Sequence, residues 1–388
     1  MSELHLNPRV DSPAAVGWPL DGDPRAFHRR LPGYRPTPLH RLPDLAAQLN
    51  VGGVLIKDES DRFGLPAFKV LGASWAVYRE IINALGGEEP AWQDIDELRE
   101  IVADLKPLRL VTATDGNHGR GVARTAAWLG LEAIVFVPAG TVAARIAGIE
   151  AEGATVHVID GSYDETVCRA AEAAADERAW LIQDTSWSGY EEIPRRVIEG
   201  YSTLFREIDE ELEAASEPPP DLVLVQIGVG SLAAAAVMHY RAKAKAKQPR
   251  IVGVEPTDAA CALESAKAGS SVTVTGPHES IMAGLNCGTL ASLAWPVLSA
   301  GMDAFLSIDD DLSRQAMRLM ADCGLVTGES GAAGLGGLLY LLSPEAADAR
   351  QRLRIGPDPR VLIISTEGAT DPVSYRRILG FDPASPCR

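Results

Sequence analysis

Eight short runs rich in β-branched and other apolar residues, Val54–Lys57, Leu108–Thr112, Ala133–Val137, Thr155–Ile159, Leu181–Gln183, Leu222–Ile227, Ile251–Val254 and Val361–Ser365, alternate with Ala-rich stretches of helical spacing. Strands that alternate with helices form βαβ units, and such units assemble into mostly parallel sheets covered by helices. The pattern therefore predicts an α/β fold. At 388 residues the chain is long enough for two or three domains, or one large α/β body with a subdomain.

The composition, 46% apolar and 23% charged, is that of an ordinary globular chain, and no apolar run approaches the ~20 residues of a membrane helix. Asp and Glu number 53 against 36 Lys and Arg, a formal charge of −17 that repels phosphate backbones and anionic lipid surfaces. Neither nucleic acid nor a membrane is expected as a partner. The N-terminus has no basic segment leading into an apolar one, which predicts a cytoplasmic protein. Five scattered cysteines without a close CxxC pair argue against zinc and against a disulfide framework. The first ~40 residues, rich in Pro and Gly, read as a surface or interface arm. Glu207–Pro220 reads as an exposed helix running into a linker, and Ala242–Lys247 as a solvated helix end.

Open α/β sheets bind ligands where strands end and helices begin, and four such junctions carry unusual residues. In the first, Phe63-Gly-Leu-Pro-Ala-Phe-Lys69, a lysine stands in an apolar segment at the start of a helix that Gly86-Gly87 should stop. A buried lysine loses charge, and its free amine can attack a carbonyl; the alternative is an ammonium that snorkels to the surface. In the second, Val111-Thr-Ala-Thr-Asp115-Gly-Asn-His-Gly119 places Asp, Asn and His between glycines at a helix N-terminus, which suits an anion; the alternative is that Asp115 merely caps the helix. The third, Gly228-Val-Gly-Ser231, is a glycine turn able to cradle a phosphate. With Ala233 and Glu255 it also fits a relaxed dinucleotide fingerprint, which keeps a nicotinamide dehydrogenase open. The fourth group comprises the segments Gln183–Pro194, Ser280–Gly288, Gly328–Ala332 and Ile364–Asp371, each with glycines and small polar residues after an apolar stretch, as turns commonly have.

In this order these segments, with Arg35-Pro-Thr-Pro-Leu39 and Lys57-Asp-Glu-Ser60, resemble the fold-type II pyridoxal phosphate enzymes over nearly the whole chain. Thr114-Asp115 before Gly-Asn-His, with Gln183-Asp-Thr, Gly189-Tyr-Glu-Glu-Ile-Pro194, Ile281-Met-Ala-Gly-Leu285 and Ser365-Thr-Glu-Gly368, resembles the diaminopropionate ammonia-lyase family within that group. The resemblance implies two three-layer αβα domains with parallel-rich sheets and the cofactor in the interdomain cleft, a large domain of residues 1–71 plus 192–388, and a small mobile domain of residues 72–191. It implies Lys69 as the residue linked to pyridoxal phosphate, Gly228, Val229, Gly230 and Ser231 around the phosphate, Asn117 at the ring O3′, and Ser365 or Thr366 at the pyridine nitrogen. Thr114, Asp115, Gly116, His118, Asp184 and Met282 would bind the amino acid, and Lys69, Asp115 and Asp184 would act in catalysis, with Asp115 the base for a D substrate and Lys69 for an L one. Cys261 and Cys287 match a cysteine pair that the family carries near the active-site entrance; two reduced thiols are the expectation for a cytoplasmic chain, with a disulfide as the alternative, and a homodimer is implied. The reaction expected is α,β-elimination of D- or L-2,3-diaminopropionate to pyruvate and ammonia. A serine or threonine dehydratase, or another lyase of β-substituted amino acids, is the alternative on the same fold.

Overall fold

The computed structural model describes residues 2–8, 16–105, 108–114, 116–161, 163–242 and 248–383. It divides into two compact units, one of Met1–Pro19, Pro36–Asp61 and Leu204–Arg388, the other of Leu20–Arg35 and Arg62–Thr203. The divisions fall ten to twelve residues from the expected ones at 71/72 and 191/192, and the second lies inside the single helix Glu192–Ala214. Lys69 and its helix thus belong to the smaller unit.

Eleven strands are present among the described residues: β1 (Glu3–Leu6), β2 (Leu39–Arg41), β3 (Gly53–Asp58), β4 (Arg109–Ala113), β5 (Glu132–Pro138), β6 (Thr155–Ile159), β7 (Ala179–Leu181), β8 (Leu222–Gln226), β9 (Arg250–Pro256), β10 (Ala304–Ile308) and β11 (Arg360–Ser365). The larger unit holds a seven-stranded sheet in the order β1-β10-β9-β8-β11-β3-β2, parallel except for its two edge strands. β8 and β10 are buried throughout and β9 and β11 at all but their first residue, as continuous apolar runs with helices on both faces must be. Its core joins Ile56, Leu224, Val254, Leu306 and Ile363 from the strands to Leu335, Leu338 and Leu341 of the helix Glu329–Leu342. The smaller unit holds a four-stranded parallel sheet in the order β6-β5-β4-β7.

Several sequence expectations change. The N-terminal arm supplies β1 and β2, which pair antiparallel at the two sheet edges, and Leu20–Arg35 packs in the smaller unit, where Phe27 stacks on Tyr78 at 4.4 Å. β10 was not anticipated. β7 ends at Leu181, two residues before the predicted Gln183, whose side chain takes a different role described below. Glu207 is not on an exposed face: its carboxylate, fully buried, lies 2.8 Å from the Nζ of a fully buried Lys57. Lys57 thus ends the apolar run Val54–Lys57 against a carboxylate supplied from 150 residues away. Residues 243–247 lie outside the described residues.

Candidate active site

In the smaller unit, β4 leads into the Asp/Asn/His loop. Thr114 is buried, and its Oγ1 accepts the amide hydrogens of Gly116 at 3.0 Å and Gly119 at 3.2 Å. A threonine hydroxyl thus satisfies two of the amides that a helix N-terminus leaves open. Asp115, expected both as base and as possible cap, lies outside the described residues. Asn117 opens the helix Asn117–Leu129 and is half-buried. That helix approaches the Lys69 helix closely at Gly121, where a Cβ would lie 3.0 Å from the backbone N and Cα of Val70. No larger residue fits without moving a main chain.

Lys69 caps the helix Val70–Ala84, which Gly86 and Gly87 end as expected, each with positive φ. About a quarter of its side chain (24%) is exposed, and its Nζ donates to Asp184 Oδ2. The expected neutral amine of a buried lysine is replaced by an ion pair, since an adjacent carboxylate favours the ammonium. Asp184 is itself 5% exposed. Burial alone would raise its pKa, but the charges of His118 and Lys69 outweigh that and hold it at about 2. His118 is buried and orders the other side of the carboxylate: its Nε2 donates to the Ile182 carbonyl at 2.8 Å, and its Nδ1 stands 3.8 Å from Asp184 Oδ2. Because a carbonyl only accepts, Nε2 must carry the proton.

The segment carrying Asp184 is braced rather than loose. Gln183 Oε1 accepts from Thr112 Oγ1 at 2.7 Å and from the Ala113 amide at 3.1 Å, which ties it to β4. The Gln183 amide donates to the Tyr190 hydroxyl at 3.0 Å, which donates in turn to the Leu181 carbonyl at 2.5 Å. Trp187 stacks on Tyr190 at 4.4 Å. A charge held this way costs no reorganisation when a reacting group arrives.

In the larger unit, β8 runs into Gly228-Val229-Gly230, and Ser231 begins the helix Ser231–Arg241. Gly230 has φ +97°, and a Cβ on it would lie 2.9 Å from the Cβ of Ala294. A left-handed glycine immediately before an 11-residue helix aims open amides at one point, the arrangement that receives a phosphate. The residues present therefore fit the phosphate of the implied cofactor. At the end of β11, Ser365 is buried and its hydroxyl lies 2.9 Å from that of Thr327; Thr366 beside it is also buried. Gln226 closes β8 and donates to the carbonyls of Ser330, Gly331 and Ile364 at 3.2, 2.9 and 2.7 Å. It thereby ties the glycine-turn strand to the Ser365 segment. A polar residue ending the run Leu-Val-Leu-Val-Gln226 was the only signal for this; nothing in the sequence marks Thr327.

Other expected residues take structural places. Met282 is fully buried in the core of the larger unit. Cys261 and Cys287 stand as thiols; burial pushes the Cys261 thiol up. Both lie against Gly228, Cys261 Sγ at 3.9 Å from its carbonyl and Cys287 Sγ at 3.4 Å from where a Cβ would stand. Glu255, the residue a dinucleotide site would turn toward a ribose, is fully buried and accepts from the amides of Ala262 at 2.7 Å and Leu263 at 2.9 Å. Burial pushes its pKa up to about 8. A carboxyl committed to a helix N-terminus is not available to a nucleotide, and the dehydrogenase reading loses its acidic residue. No helix among the described residues is long and apolar enough to cross a membrane.

Comparison with known proteins agrees with this geometry. A family model described as pyridoxal-phosphate dependent enzyme matches residues 30–367. Diaminopropionate ammonia-lyase of Salmonella typhimurium is 41% identical over 372 residues, covering 91% of this chain and 90% of that protein. The protein of the same name from Escherichia coli is 36% identical over 362 residues, covering 92% and 90%. Solved structures of the Escherichia coli protein superpose closely: the complex with D-serine has a TM-score of 0.87 at 33% identity, covering 98% of this chain and 97% of that one. The complex with an aminoacrylate-PLP azomethine reaction intermediate has a TM-score of 0.88 with the same identity and coverage.

Proposed function

We infer the reaction from the family to which the chain belongs, the diaminopropionate ammonia-lyases among the pyridoxal-phosphate-dependent enzymes. The chain eliminates ammonia from 2,3-diaminopropionate and yields pyruvate. The observation that carries the reading on this chain's own residues is the Lys69–Asp184–His118 cluster, a buried carboxylate held ionised beside the Lys69 ammonium and the His118 imidazole. 2,3-Diaminopropionate differs from serine in carrying a second ammonium at Cβ, and a fixed carboxylate is what binds such a group.

Bound pyridoxal phosphate supplies the electron sink for the Cα electrons, which no side chain provides. Lys69 would supply the amine that links to the cofactor, and the amides of Gly228, Val229, Gly230 and Ser231 would hold its phosphate. Asn117 would bind the ring hydroxyl, and Ser365, whose hydroxyl is fixed by Thr327, would face the ring nitrogen rather than Thr366. With the Lys69 nitrogen so engaged, Asp184 would be left to receive the substrate's ammonium at Cβ. His118 keeps Asp184 ionised while the partner changes. Asp115 removes the Cα proton of a D substrate and Lys69 that of an L one. Thr114 and Gly116 set the shape of the loop that presents Asp115, and Met282 supports the site from the core. The chain acts in the cytoplasm as a homodimer.

The test is turnover of D- and L-2,3-diaminopropionate, D-serine and threonine by the purified holoenzyme, with pyruvate and ammonia assayed together. The expected result is about two ammonia per pyruvate from diaminopropionate, as elimination followed by hydrolysis requires, at a higher kcat/KM than from D-serine. Higher kcat/KM for D-serine or threonine would make the chain a dehydratase. Asp115→Asn should lower activity on the D isomer more than on the L isomer, and the reverse order would remove Asp115 from its role.

A further inference from the structure

We propose that the Tyr201 hydroxyl is the standby donor of the Asp184 carboxylate, taking up the hydrogen bond that Lys69 relinquishes when its nitrogen is engaged with the cofactor. The inference rests on the reading of Lys69 as the residue that links to the cofactor. Tyr201 lies in the smaller unit with Lys69 and Asp184. It is fully buried, and its hydroxyl has no hydrogen-bond partner among the described residues. Buried phenols usually find a partner, because one left without loses the hydrogen bonds that water gave it. The ring is fixed in place. It meets Phe68 edge to face at 4.7 Å between centroids, and a Cβ on Gly72 would lie 2.6 Å from its Cε1 and 2.8 Å from its Cζ. Phe68 and Gly72 flank Lys69 in the chain, and the Lys69 Nζ lies 5.9 Å from the centre of the same Phe68 ring. The orphan hydroxyl is thus held against the helical turn that carries Lys69.

Burial pushes the Tyr201 phenol up, and the charges that bear on it are those of Lys69 and Asp184. The phenol therefore stays protonated, a donor rather than a base. With Lys69 paired to Asp184, the carboxylate is served and the hydroxyl is left over. When the Lys69 nitrogen is engaged elsewhere, Asp184 lacks a donor that it had, while Tyr201 still has a proton to donate. The carboxylate can rotate toward a ring that cannot move, and both deficits end together. A hydrogen bond to an ionised acceptor is among the strong ones, so Asp184 stays ionised and in place for the substrate's ammonium. Tyr201 is a positioning residue in this account: it acts on the substrate only through Asp184.

The experiment is a double-mutant cycle, read by urea unfolding of the full chain without cofactor, in the wild type, Tyr201→Phe, Lys69→Met and the pair. With Lys69 present the hydroxyl is unpartnered, so Tyr201→Phe should change the unfolding constant by no more than about twofold. In the Lys69→Met background, where Asp184 has lost its lysine, Tyr201→Phe should raise the unfolding constant about tenfold, the loss of a hydrogen bond to a charged group. A cost equal in the two backgrounds, or smaller in the Lys69→Met one, overturns the proposal. Substrate selectivity gives a readout that a merely structural role does not move, since serine has no second ammonium for Asp184 to hold. In the holoenzyme, Tyr201→Phe should lower the ratio of kcat/KM for 2,3-diaminopropionate to that for D-serine about tenfold. Should Lys69→Met fail to fold, an unchanged ratio overturns the proposal. Borohydride reduction, which fixes pyridoxal phosphate to the lysine it is linked to, tests the reading beneath. Cofactor fixed equally in the wild type and Lys69→Met would remove the reading of Lys69. Fixation in the wild type alone, with no coupling in the cycle, would remove the Tyr201 role alone.

Discussion

Asp184→Asn removes a charge from the Lys69–His118 cluster while keeping the shape of the side chain, and its effect on stability can be worked from the structure. The folded protein holds the Asp184 carboxyl at about 2 against an ordinary 3.8. A difference of about 1.8 units at ~1.4 kcal/mol per unit gives about 2 kcal/mol. Because the folded-state pKa is depressed, this contribution is complete above about pH 4 and fades as the pH falls toward 2. Urea unfolding of cofactor-stripped protein, followed by far-UV circular dichroism from about pH 7 to 3, should therefore show the variant less stable by about 2 kcal/mol at neutral pH. The gap should narrow below about pH 4. Since the charge of His118 and both the charge and the hydrogen bond of Lys69 lower the Asp184 pKa, the gap caused by Asp184→Asn should shrink in a His118→Asn background and in a Lys69→Met background. A gap that stays constant down to pH 3, or one insensitive to both background changes, would show that Asp184 is not the charge-stabilised carboxylate described here.

Two further outcomes are expected. Gly230→Ala forces a side chain into φ +97° and a Cβ to within 2.9 Å of Ala294; it should cost about 1–3 kcal/mol in urea unfolding and weaken cofactor binding in a pyridoxal phosphate titration. Glu255 has its folded-state pKa raised to about 8 from 4.5, so its contribution is full below the unfolded value and is lost as the pH rises to 8. The melting temperature of the wild type should fall across that interval, and Glu255→Gln should flatten the fall.

The sequence by itself determined the α/β class and where the site's pieces begin, because both are local. All eight predicted strands overlap observed ones, Leu181–Gln183 by Leu181 alone, since a β-branched run bounded by turn residues favours an extended segment whatever surrounds it. Lys69 at a helix start, the glycine turn at Gly228–Gly230 and the Thr114–His118 loop were legible for the same reason: glycines and caps act within a few residues. β1, β2 and β10 were not: β1 is a short edge strand that pairs with β10 far along the chain, and β2 is a three-residue edge strand held by pairing with β3. Tertiary structure alone decided which groups meet. It gave Lys69 the carboxylate of Asp184 from 115 residues away, paired the buried Lys57 with Glu207, turned Glu255 onto a helix end and set Thr327 against Ser365. Whether a lysine in an apolar segment is a free amine, an ion pair or a structural cation depends on the charge beside it in space, and a linear pattern does not carry that distance.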